Sequence, residues 1–264
     1  MALDFYCEPN HDQHSEAILL LHSLFHDAEQ SWTNVRDFLD QPYYLLTPTV
    51  QPSDFSDIDN MIHRLGELIR TATTHGTAHV VGVSMGAHIA LRLAHTYPEL
   101  VSSLILSGYR IFSRTTQYFA SRGLYIYSNC RKKTRPPFSI QQSRSFAQMF
   151  ALPKHPEKFR KRTLVVVTEK GDRKSDALAL QDVLSRWSQV SVRVAEGQYH
   201  LWNMFSSRIF AILVSSWPKF EWPEELKMLR DISGETISDS STIASKEAME
   251  YSYSKALWPS SDSL

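Results

Sequence analysis

The 264-residue chain carries only two cysteines, Cys7 and Cys130. Two thiols cannot build a disulfide scaffold or a cysteine-rich zinc site, and they fit a reducing compartment. Long apolar runs are also missing. The longest, such as residues 17–21, fall far short of the roughly 20 residues that cross a bilayer. The N-terminal MALDFYCEPNHDQ has neither the basic start nor the apolar core of a signal peptide. Net charge is absent too: 28 Lys and Arg stand against 28 Asp and Glu, which gives no reason to expect a nucleic-acid partner. These absences point to a cytoplasmic protein without a membrane span.

What is present excludes wholesale disorder. Hydrophobic residues make up 42% of the chain, aromatic residues 11% and charged residues 21%, enough to bury a sizeable core. The length suits one α/β domain, or one domain with an inserted lobe.

The neutral total conceals an uneven distribution of charge. Residues 110–162 hold 13 Lys and Arg but a single acid, Glu157, whereas residues 221–264 hold nine acids and four bases. A basic run is ordinarily a solvated surface. The sharper alternative is a lobe that attracts an anionic or carrier-bound substrate, or one on which the acidic tail folds back.

Short apolar runs alternate with amphipathic stretches. Residues 17–22, 43–50, 79–84, 103–108, 163–169 and 190–197 read as strands. Several are apolar at consecutive positions, as strands covered on both faces should be. Between them, 31–40, 58–74, 85–97, 175–187 and 203–217 read as helices. In the second of these, Ile58, Met61, Ile62, Leu65, Leu68 and Ile69 mark one buried stripe. Strands alternating with helices imply an α/β fold, a mostly parallel sheet flanked by helices. Residues 110–162 are too long for an ordinary connection; with helical patterns at 117–127 and 140–152, and Pro136–Pro137 between them, they read as an inserted basic helical lid. The core is then 1–109 and 163–220. The tail, 221–264, is acidic, Ser-rich and expected to be partly disordered.

The sharpest chemical signal is Gly82-Val83-Ser84-Met85-Gly86, lying between an apolar strand and a helix. A serine on such a tight turn needs small neighbours and is exposed at the carboxyl end of the sheet, where open α/β sheets bind ligands. The Met85 N–H, at a helix N-terminus, is placed to stabilise a developing oxyanion.

On these residues the chain resembles the α/β-hydrolase superfamily over roughly residues 15–220. That resemblance implies a second oxyanion-hole N–H in the loop after the strand LLLH. Here the loop is His22-Ser23-Leu24-Phe25, with Ser23 where the family has glycine, and Leu24 is the expected donor ahead of Phe25. It also implies an acid after a late strand and a histidine after the last one. His200 occupies the histidine slot, with Tyr199 where glycine is usual. Asp172 fits a turn with Gly171 and is the expected acid, Glu169 is the alternative, and Asp176 reads as a helix cap. His22, Ser23, Phe25 and Trp202 are candidate substrate contacts. His22 also reads as a residue that fixes the loop, and His88 as a packed helix residue. Phe112, Phe119, Tyr125 and Tyr127 are candidate pocket aromatics. His22, His88 and His200 form no metal-binding pattern.

The resulting expectation is a serine hydrolase of small-molecule or carrier-bound acyl esters or thioesters that uses Ser84, Asp172 and His200 and no cofactor or metal. Fold alone does not fix chemistry. The alternatives are a non-hydrolytic enzyme (carbon–carbon cleavage, lyase, cyclisation or dehydration), with His200 as base and Ser84 as an orienting group, and a ligand-sensing receptor. A dehalogenase or epoxide hydrolase is disfavoured, because those members place an aspartate where Ser84 stands.

Overall fold

A computed structural model describes residues 5–7, 16–39, 43–130, 138–150 and 160–235. The strands are β1 (Phe5–Cys7), β2 (Ala17–Leu21), β3 (Tyr44–Pro48), β4 (Ala78–Val83), β5 (Val101–Ser107), β6 (Thr163–Lys170), β7 (Val190–Tyr199) and β8 (Leu229–Asp231). The helices are α1 (Ala28–Arg36), α2 (Ile58–Ala72), α3 (Met85–Thr96), α4 (Arg114–Cys130), α5 (Ile140–Gln148), α6 (Lys174–Leu184), α7 (Trp202–Phe205) and α8 (Ser207–Lys219).

The strands form one sheet in the order β1-β3-β2-β4-β5-β6-β7-β8. Its interior pairings are parallel, and β1 and β8 lie antiparallel at the two edges. All five residues of β2 are buried, which explains its unbroken apolar run. Leu19 and Leu21 face the core shared with α2, α3 and α6. Ile18 and Leu20 face the opposite core, with Trp32 and Val35 of α1 and with Phe210, Leu213 and Val214 of α8. The stripe expected on α2 is present: Met61, Ile62, Leu65, Leu68 and Ile69 are all buried.

Capping chemistry moved several boundaries. Helix α1 starts at Ala28 rather than residue 31, because Asp27 accepts from Gln30 N while the Gln30 side chain accepts from Asp27 N. The single helix expected over 203–217 is two. The chain breaks at Ser206 (φ −127°, ψ 45°), whose hydroxyl donates to Gln198 Oε1 at 2.6 Å. In the segment assigned to the tail, β8 pairs with β7 and buries Leu229 and Ile232; residues 236–264 lie outside the described residues.

Two helices, α4 and α5, are inserted between β5 and β6 and pack on one another. Pro136 and Pro137 lie outside the described residues. The insertion is rooted firmly. Asp176 of α6 accepts from Ile111 N at 3.1 Å, Arg173 donates to Ile111 O at 2.9 Å, and Phe112 N donates to Phe150 O at 2.9 Å. Farther out, Phe55 packs against Phe138 and Phe146, with ring centroids 5.7 and 5.3 Å away. No helix among the described residues is long and apolar enough to cross a membrane.

Candidate active site

Ser84 is the single residue between β4 and α3, at φ 57° and ψ −113°. This conformation is costly for any residue with a side chain and concentrates at functional sites. The turn leaves no room beside it. A Cβ on Gly82 would sit 2.2 Å from Gly86 O, and one on Gly86 would sit 2.0 Å from Leu21 O, so both positions require glycine. Ser84 N donates to Ser107 O at 2.8 Å, which ties the turn to β5. Met85 opens α3, and its backbone N–H is among the donors that a helix leaves without an intrahelical acceptor.

His200 follows β7 and brings its Nε2 to 2.9 Å from Ser84 Oγ. Its other nitrogen, Nδ1, lies 2.5 Å from Asp172 Oδ1. With Nδ1–H donating to the carboxylate, Nε2 carries the lone pair that faces the serine hydroxyl. The second carboxylate oxygen accepts from Thr168 N at 2.9 Å and from Thr168 Oγ1 at 2.8 Å. Arg110 reaches within 3.8 Å of Oδ1 and donates to Gly171 O. The Asp172 side chain is fully buried. Burial by itself raises a carboxylic acid, but the facing His200, the Arg110 charge and the Thr168 N–H outweigh it and hold Asp172 below its ordinary value. Glu169 is exposed and turned elsewhere: its carboxylate accepts from Gly197 N at 2.7 Å.

Ser84 and His200 open onto a cavity of about 650 Å³, within the range of small-molecule sites. Ser23, Leu24 and Phe25 line it on the sheet side, and the insertion contributes Phe112, Phe119, Leu124, Tyr127, Phe146 and Phe150. The cations around it are Arg110 and Lys170, and no carboxylate is among its described lining residues. Among the described residues no group of three or more His, Cys, Asp or Glu side chains is arranged to hold a metal ion.

Residues 17–125 match the model of the α/β-hydrolase fold family. A protein of Gibberella zeae named as an AB hydrolase superfamily protein is 29% identical over 232 residues, covering 79% of this chain and 82% of the relative. The chain has the α/β-hydrolase fold. Among solved structures it is similar to an esterase from Exiguobacterium antarcticum (TM-score 0.64, 17% identity, 81% of this chain and 95% of the other). It is also similar to the thioesterase domain from the curacin biosynthetic pathway (TM-score 0.54, 14% identity, 80% and 94%).

Two departures from the superfamily pattern are accommodated without strain. Ser23 is not among the residues with positive φ, so the loop does not need a glycine there. Its hydroxyl lies 3.1 Å from His26 Nδ1. Tyr199 ends β7, 60% exposed, and also keeps a negative φ. The glycine conformation is taken instead by Gly197 (φ 72°), where β7 slips in register against β6.

Two expected substrate contacts are corrected. His22 lies outside the cavity lining: Nδ1 faces Ser23 O at 2.7 Å, and Nε2 accepts from Val50 N at 2.8 Å. Both ring nitrogens are used in fixing the loop. Trp202 is completely buried on the far side of the sheet, against Phe210, and its Nε1 donates to Ser107 Oγ at 2.9 Å. Of the aromatics expected in the pocket, Phe112, Phe119 and Tyr127 line it, whereas Tyr125 does not. His88 is buried between Tyr109 and Phe150, with both ring centroids 4.1 Å away.

Sequence reasoning missed Thr168, Gly108 and Arg110. Thr168 is the last buried residue of β6, a polar residue at the end of an apolar run, which is a faint signal. Gly108 follows β5 at φ 66°. Nothing in the local sequence points from Gly108 or Arg110 to a histidine some 90 residues away.

Proposed function

We propose that the protein is a serine hydrolase that cleaves an ester or thioester through an acyl-enzyme. The observation that carries the reading is the unbroken hydrogen-bonded chain from Ser84 Oγ through His200 to buried Asp172, open to an apolar cavity. A serine hydroxyl is a weak nucleophile at neutral pH, and an imidazole within hydrogen-bond reach removes its proton as it attacks. The fold neighbours named as an esterase and a thioesterase support this class of substrate.

In this mechanism Ser84 Oγ attacks the carbonyl carbon while its proton passes to His200 Nε2. The Met85 and Leu24 N–H groups stabilise the negative oxygen of the tetrahedral intermediate. The bond to the leaving oxygen or sulfur then breaks as His200 returns the proton to it. Water attacks the acyl-enzyme, giving its proton to His200. Collapse of the second intermediate returns that proton to Ser84 and releases the acid. Asp172 holds the imidazole in the required tautomer and stabilises the imidazolium. Substrate choice belongs to the cavity, with α4 and α5 as its cover.

A fluorophosphonate probe tests this reading. Intact mass should show one adduct on Ser84 that is lost in both Ser84→Ala and His200→Ala. An unlabelled folded protein, or labelling that survives Ser84→Ala, would overturn it.

A further inference from the structure

The cavity has two chemically different ends. Toward α5 it is walled by Leu124, Phe146 and Phe150, all buried and apolar. Beside Gly171 its lining carries Arg110, which donates to Gly171 O, and Lys170, the preceding residue. The two cations are not equivalent. Arg110 is committed to Gly171 O and stands beside Asp172, so much of its charge is compensated. Its Nε–H is buried and has no acceptor among the described residues, which costs free energy. Lys170 forms no ion pair among the described residues. It pairs in register with Tyr199, the residue before His200, and its ammonium lies 5.2 Å from the Tyr199 ring centroid.

This asymmetry has a chemical direction. A histidine that returns its proton to the leaving atom must have the leaving group on its own side of the site, and the acyl group then extends the other way. We propose that Lys170, with Arg110, forms a leaving-group subsite for an anion, so that the substrate is an apolar acyl ester or thioester whose alcohol or thiol portion carries a carboxylate or phosphate. The acyl group lies toward Phe146 and Phe150, and the anion lies against Lys170 on the Arg110 side of the cavity. No lining carboxylate opposes it, and a partly enclosed apolar cavity screens the attraction less than open water does. This inference rests on the hydrolase reading above for the orientation of the substrate.

Binding to Ser84→Ala protein separates the two proposals, because it does not require turnover. The probes are phenyl hexanoate and 4-carboxyphenyl hexanoate, which share an acyl group and differ by one negative charge on the leaving side. The carboxylated ester should bind about fivefold more tightly at low ionic strength. That preference should disappear with Lys170→Gln, invert with Lys170→Glu, and shrink as salt is added. Equal affinity for the two esters, or a preference that survives Lys170→Glu, would overturn the subsite. Failure of wild-type Ser84 to label with a fluorophosphonate would count against the hydrolase reading instead.

Discussion

Gly108 stands directly behind the ring of His200: a Cβ added to it would come 2.7 Å from Cε1 and 3.0 Å from Nδ1. The residue after β5 is thus a backstop for an imidazole contributed by the loop after β7. Its positive φ of 66° makes glycine necessary twice over, once for the backbone and once for the contact.

Gly108→Ala should therefore displace the imidazole from both Ser84 and Asp172. The expected result is a fall in kcat/KM of about 100-fold or more, since misplacement by an ångström is enough for that. Thermal unfolding should still be cooperative, with a loss of about 1–2 kcal/mol from forcing an alanine into the left-handed region. Activity within a few-fold of wild type would show that the contact is easily relieved.

Asp172 and Glu169 separate cleanly as variants. Asp172→Asn keeps the shape but lets the wrong imidazole tautomer form, which in comparable arrangements costs about 10⁴-fold in rate. Glu169→Gln should stay within about threefold of wild type, because the Glu169 carboxylate is engaged with Gly197 N and not with His200 among the described residues. The two rates on one activated ester decide the point, and a reversed ranking would remove Asp172 from the relay.

His88 makes stability depend on pH. Burial lowers its pKa from 6.5 to about 3, so the folded protein keeps the ring neutral where the unfolded chain takes up a proton. Stability from this residue is fully present above about pH 6.5 and is lost as pH falls toward 3, at about 1.4 kcal/mol per pH unit. His88→Gln removes that proton linkage. Urea unfolding at pH 7, 6 and 5 should show wild type losing stability faster than the variant, and parallel pH slopes would refute the assignment.

Trp202→Phe should cost stability and leave substrate affinity alone. The variant loses the indole donation to Ser107 Oγ at 2.9 Å, worth about 1 kcal/mol net and up to about 3 if the hydroxyl stays buried without a partner. A KM shift of more than about threefold without loss of stability would put Trp202 back beside the substrate.

Six of the strands, and the three residues Ser84, Asp172 and His200 that the fold brings together, could be read from sequence because each carries a local signature: an apolar run, a glycine-flanked serine, an acid or a histidine after a late strand. Trp202 was misplaced for the converse reason. It is two residues from His200, but the chain turns into α7 between them, so the imidazole meets Ser84 while the indole passes beneath the sheet. His22 likewise sits at the expected strand end, yet its ring is taken up by Val50 N and Ser23 O. Gly108, Arg110 and Thr168 act through contacts made only when strands separated in sequence are aligned side by side. Periodicity carries no information about such contacts.

The bond from Phe112 N to Phe150 O gives the insertion a property of its own. It sets the two ends of the described α4–α5 segment side by side, and the first of them is held through Ile111 by Asp176 and Arg173. Everything between the two phenylalanines can change in length and composition while Ser84, His200 and Asp172, all outside the segment, keep their positions. The cover over the cavity is in this sense an exchangeable cartridge, and Phe112 and Phe150 mark the points between which another could be spliced in to reshape the cavity.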